Sequence, residues 1–100
     1  MRSTRVLVTR LAIDDADVAI RYGELFVVVR EGETSPGPND WELSVQGSAV
    51  HWLGRGRHQL YIEGADGSVL RGVAVVRFTD GSRHLLRGDG DLAGWEDQPV

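Results

Sequence analysis

Two Asp-Gly pairs, Asp66-Gly67 and Asp80-Gly81, punctuate residues 58–88. Each pair sits between runs rich in Val, Leu, Ile, Phe and Tyr. Asp-Gly flanked by alternating apolar residues is among the strongest short-range hairpin signals, because glycine supplies the positive φ that a tight turn needs. The pairs therefore predict two antiparallel hairpins and a register for each. With Ala65-Asp66-Gly67 as a three-residue loop and Gly67 left-handed, Ile62 lies opposite Leu70, Leu60 opposite Gly72 and Tyr61 opposite Arg71. With Asp80-Gly81 as a two-residue type I′ turn, Val76 faces Leu85, Phe78 faces Arg83 and Val75 faces Leu86. Shifting that turn by one residue would set Arg77 against Arg83, and like charges directly opposite each other disfavour that register.

These registers sort the hairpin residues into two faces. Leu60, Ile62, Leu70, Ala74, Val76, Phe78 and Leu85 form an inner set fit for a core. Each large member contributes about 1.5–3 kcal/mol when fully buried. The outer set is Tyr61, Val73, Val75 and Leu86, bordered by Glu63, Arg71, Arg77 and His84. It is too apolar to be left facing water.

The rest of the chain also reads as strand. Residues 5–13 are rich in β-branched side chains and predict a first strand, ended by a turn at Asp14-Asp15-Ala16-Asp17. Residues 18–22 and 25–31 predict two more. Gly23-Glu24 between them marks either a tight hairpin or a bulge in one long strand. Residues 32–40 are the one long loop, rich in Pro and Gly. Trp41, Leu43 and Val45 then alternate with Glu42, Ser44 and Gln46, the pattern of a half-buried strand. Residues 50–53 suggest a short strand, 54–57 a loop, and 91–97 one helical turn at most. Short strands at this spacing predict an all-β fold of about six to eight strands, a small antiparallel barrel or a two-sheet sandwich. A chain of 100 residues is expected to form one domain.

Composition excludes several chemistries. The chain has no Cys and no Lys; its eleven basic side chains are all Arg. Disulfides, thiol nucleophiles and thiolate-bound zinc are ruled out, as are Schiff-base and P-loop lysines. A net charge of −4 argues against non-specific binding to nucleic acid or anionic membrane. No stretch has the length and apolarity of a membrane span or a signal-peptide core, so a soluble, cytoplasmic protein is expected.

The spacing of His51, His58 and His84 matches no standard ligand pattern, so polar strand ends are preferred and no metal site or cofactor is assigned. Asp89 and Asp91 have the spacing of a calcium loop, but Ala93 stands where a third ligand belongs. Asp14, Asp15 and Asp17 read as turn acids. Arg87-Gly88-Asp89 spells an adhesion tripeptide, most simply by chance. Ser82, His84 and Asp80 lack a nucleophile-elbow sequence to support a triad. Residues 51–58 form the one locally basic, aromatic-containing patch. There arginine forks and glycine backbone N–H groups suit a phosphate or carboxylate.

Three functions follow, in descending order. The first is a non-enzymatic binding and assembly module that self-associates, as a homodimer, through Tyr61, Arg71, Val73, Val75, Arg77 and Leu86. An apolar centre with an arginine rim resembles an interface. The second is a small acidic ligand held at a barrel mouth, with Trp41 and Trp52 as walls and Arg55, Arg57 and His58 as donors. The third is an enzyme using His58 or His84 with a nearby Asp as an acid–base pair.

Overall fold

The β-branched runs form seven strands: β1 (Arg2–Ile13), β2 (Ala16–Val18), β3 (Ile20–Val29), β4 (Trp41–Gly47), β5 (Arg57–Gly64), β6 (Val69–Thr79) and β7 (Arg83–Gly88). They are seen in a computed structural model that describes residues 2–33, 36–37, 39–47, 56–80 and 82–95. Neighbours pair in the order β1-β3-β4-β7-β6-β5, antiparallel throughout, and β5 returns to β1. Six strands thus close an antiparallel barrel, and β2 is an extra strand laid on β1. The architecture is two three-stranded meanders, β1–β3–β4 and β5–β6–β7, zipped together at β4–β7 and β1–β5. Closure leaves no barrel edge to template aggregation. Among the described residues no helix is long and apolar enough to cross a membrane.

Local chemistry explains the path. Asp14 and Asp15 both have positive φ, 51° and 67°, between the paired residues Ile13 and Ala16. The four-residue turn read from the sequence therefore narrows to a two-residue turn, in a conformation Asp tolerates better than most residues. β1 pairs with β3 over residues 2–7 and with β5 over residues 8–13, and a register shift between Val8 and Arg10 interrupts the second ladder. Gly23 lies within β3, so the hairpin alternative at Gly23-Glu24 is not the one formed. A Cβ at Gly23 would press on Val8 at 3.0 Å and Val45 at 3.3 Å, so the glycine makes room for side chains of the two strands that flank β3. No helical turn forms at 91–95; Ala93 instead bridges Arg71, exchanging backbone hydrogen bonds of 2.7 and 2.9 Å.

The two hairpins differ in how they match the expected register. Between β5 and β6, Ile62 pairs with Leu70, Tyr61 with Arg71 and Leu60 with Gly72, with Gly67 at φ 88°, all as the turn chemistry dictates. Between β6 and β7, Val76 pairs with Leu86, Phe78 with Leu85 and Thr79 with His84. The expected pairs Val76–Leu85, Phe78–Arg83 and Val75–Leu86 are not made. Asp80 is a closing residue instead of a central one: its N–H donates to Arg83 O at 3.1 Å and its Oδ1 accepts from Arg83 N at 2.8 Å. The register shift between Val76 and Phe78 places Arg77 in a bulge. The bulge turns the tip of the hairpin over. Leu86 and His84 point inward, while Phe78 is 51% exposed.

Among the described residues sixteen apolar side chains fill the lumen, drawn from every barrel strand, with Leu92 of the C-terminal segment among them. Trp41 is the largest. Its ring lies where side chains at Gly72 and Gly88 would otherwise stand, and its Nε1 donates to Gly90 O at 3.0 Å.

Candidate functional site

Of the residues expected to line a barrel mouth, Trp41, Arg57 and His58 are described, and Trp41 stands apart from the other two. Trp41 is 1% exposed and belongs to the core, so it walls no ligand site. Arg57 points outward and pairs with Asp89, Nε to Oδ2 at 2.6 Å. His58 Nδ1 lies 2.6 Å from Asp14 Oδ2. The 32–40 loop enters β4 at Trp41 and the 51–58 connection leaves after Gly47, so the two loops attach to opposite ends of one strand. Trp52, Arg55, His51 and the expected short strand at 50–53 lie outside the described residues.

The histidines occupy two unlike places. The hydrogen bond from His58, with the Gln59 backbone N–H, holds the Asp14 carboxyl below its ordinary range. Asp14 N also donates to Gln59 O at 2.8 Å, so these contacts latch the β1–β2 turn to the start of β5. His84 is 3% exposed inside the barrel end, its Nδ1 2.6 Å from Thr79 Oγ1. At His58 an imidazole and a carboxylate are in contact. Among the described residues no group of three His, Asp or Glu side chains is arranged to hold a metal ion.

The outer wall is more informative. On β6 and β7 the outward residues include Val73, Val75, Arg77 and Phe78, then Arg83, Leu85 and Arg87. Val73, Val75 and Leu85 are half-buried, and Phe78 stands beside Leu85. Arg77, Arg83 and Arg87 make no ion pair with any described residue. Leu86 leaves the expected interface set: it is 0% exposed, turned inward by the bulge at Arg77. The tripeptide Arg87-Gly88-Asp89 has its glycine packed under Trp41, a constrained strand end.

The opposite wall, β1 and β3, exposes Leu7 and Tyr22 to a similar degree, and part of its charge is matched internally. Arg5 Nε lies 3.6 Å from Glu24 and its guanidinium covers Phe26 at 5.7 Å. Tyr22 donates to Glu24 at 2.7 Å.

Next to the arginine-rich wall, β2, β1, β5, β6 and the segment 89–93 lie side by side and curl into an open trough of about 820 Å³. Tyr61 forms its floor, with Arg10 and Arg71 over its ring at 5.9 and 5.3 Å. The Glu63 carboxylate, through a side-chain hydrogen bond first, pushes the Tyr61 hydroxyl above the ordinary phenol range. Asp15 and Asp17 stand on one side, Asp89 and Asp91 on the other. Arg10 is held by Asp17 and Glu63, at 3.2 and 3.1 Å. Asp89 is held by Arg57. Asp15 and Asp91 make no ion pair with a described residue.

Sequence reasoning reached Tyr61, Arg71, Val73, Val75 and Arg77 through hairpin register. It missed Phe78 and Leu85, which the bulge exposes, and the trough acids, which only barrel closure gathers. The alternation of Arg83, Leu85 and Arg87 on β7 was the available signal. No protein-family model matches this sequence, and no curated protein or solved structure is similar to it.

Proposed function

We propose that this barrel is a non-enzymatic binding and assembly module that self-associates through the outer face of β5, β6 and β7. One observation carries the proposal. Phe78, Leu85, Val73 and Val75 form an apolar strip beside Arg77, Arg83 and Arg87, none of which makes an ion pair with a described residue. Aromatic and arginine side chains around an apolar centre are the composition that interface cores favour. The occupant we assign is a second copy of the chain, since two-fold homodimers are the commonest closed assembly.

Light scattering on the purified chain tests this. Wild type is expected to be a dimer at tens of micromolar, and both Val75→Glu and Phe78→Ser monomers with unchanged circular dichroism. A wild type that stays monomeric at several hundred micromolar removes the proposal.

A further inference from the structure

We infer that His84 is a proton-sensitive latch on the tip of the β6–β7 hairpin, holding the face that carries Phe78 and Leu85 while the imidazole is neutral and releasing it on protonation. The link to self-association rests on the proposal above; the latch itself does not.

His84 is the one buried polar or charged side chain among the described residues, at 3% exposure. The bulge at Arg77 sets the register of the tip, and in that register His84 pairs with Thr79 on one side and Val45 on the other. Its Nδ1 lies 2.6 Å from Thr79 Oγ1. Beyond the bulge the ladder to β6 holds two pairs, Phe78–Leu85 and Thr79–His84. Residues 77–80, 82 and 83 are all exposed, so His84 is the side chain that seats the described part of the tip in the barrel. The tip in turn is tied to its surroundings through backbone bonds: Asp80 N donates to Arg83 O at 3.1 Å and Gly47 N to Ser82 O at 2.6 Å.

Burial favours the neutral imidazole, because the charged form is poorly solvated there. From β4, Val45 faces His84 and Gln46 follows it; from β6, Thr79 faces it, with Arg77 and Asp80 exposed on either side. On its own strand Arg83 is its neighbour, and the Asp80 carboxyl is turned to the Arg83 backbone N–H at 2.8 Å. Arg77 and Arg83 have the same sign as an imidazolium and oppose it. His58 and Asp14, the titratable pair at the same end of the barrel, are in contact with each other on the β1–β5 seam. An opened tip puts His84 in water, where it takes up a proton below about pH 6.5. The open state then binds more protons than the closed one, so closure is favoured above that pH and loses ground below it. Between about pH 7.5 and 5, proton uptake by one such group increases opening by up to about thirtyfold.

Amide hydrogen exchange, read as protection factors, tests the latch because it reports local opening directly. From about pH 7.5 to 5, protection of the Asp80 and Gly47 amides in the wild type is expected to fall at least about tenfold, while the β5–β6 ladder keeps its own. His84→Gln, neutral throughout, is expected to show no such fall. Val75→Glu, which is monomeric under the proposal above, is expected to show the wild-type fall, so dissociation is not its cause. Sedimentation of the wild type then reads the consequence, a dimer weakened in acid. Equal wild-type protection at both pH values overturns the inference, whether or not His84→Gln folds. A fall that persists in His84→Gln, or that spreads evenly over the barrel, also overturns it. A dimer unchanged in acid while the tip opens overturns the link to self-association. A wild type monomeric at both pH values removes the proposal above instead, and leaves the latch to the exchange data.

Discussion

The β5–β6 and β6–β7 hairpins share a strand and an Asp-Gly signal, yet one follows its turn chemistry and the other departs from it. In the first, Gly67 takes the left-handed position and Asp66 braces the loop through Ser68. Nothing downstream competes, so register follows from the turn. In the second, Asp80 spends its side chain on Arg83 N and so serves as the closing residue. The loop moves along the strand, and the bulge at Arg77 absorbs the difference. The lumen explains why that register wins. It buries Leu86 and sets Gly88 beneath Trp41, next to Ala74. Packing a leucine and accommodating an indole outweigh the loss of one ladder position at an exposed tip. The same bulge puts Phe78 and Leu85 on the outside.

Breaking the second hairpin's register is the most severe test. Leu86→Ala should destabilise by about 2–5 kcal/mol, and Leu85→Ala by less than about 1.5, in urea unfolding. The register read from the Asp-Gly pair alone requires the reverse order. Next comes Gly67→Ala, which forces a Cβ into φ 88° and should cost about 1–2 kcal/mol. The same measurement on Ser82→Ala should show less than about 0.5 kcal/mol, since position 82 is an exposed turn residue. The smallest effect is pH-dependent. Asp66 is held below the ordinary carboxylate range by the Ser68 hydroxyl first and its backbone N–H second. The unfolded chain then binds the proton more tightly, so this contribution is present above the usual carboxylate pKa and lost as pH falls through the lowered folded value. Urea midpoints from about pH 6 down to 3 should fall less steeply for Asp66→Ala than for wild type.

Much of the fold was legible because strand alternation and turn residues act locally. Trp41, Leu43 and Val45 announce their inward face, and the 65–67 loop announces its register. Closure was not legible, because β1–β5 pairing joins residues some fifty positions apart and depends on a bulge near Thr9 with no composition signal. The trough failed to appear for the same reason: Arg10, Asp15, Asp89 and Asp91 become neighbours only once the barrel closes. Trp41 misled because an aromatic beside a Pro/Gly loop reads equally as pocket wall or core. The glycines at 72 and 88 decide the matter by making room for its ring.

The most direct test of the outer face as the working surface is the concentration dependence of amide chemical shifts in the ¹⁵N-labelled chain. From about 10 µM to 1 mM, a range bracketing ordinary weak dimerisation, shifts should move at Val73–Phe78 and Arg83–Arg87. Leu7, Tyr22 and Phe26 should stay fixed. Movement confined to the β1–β3 wall, or no movement at any concentration, would contradict the account.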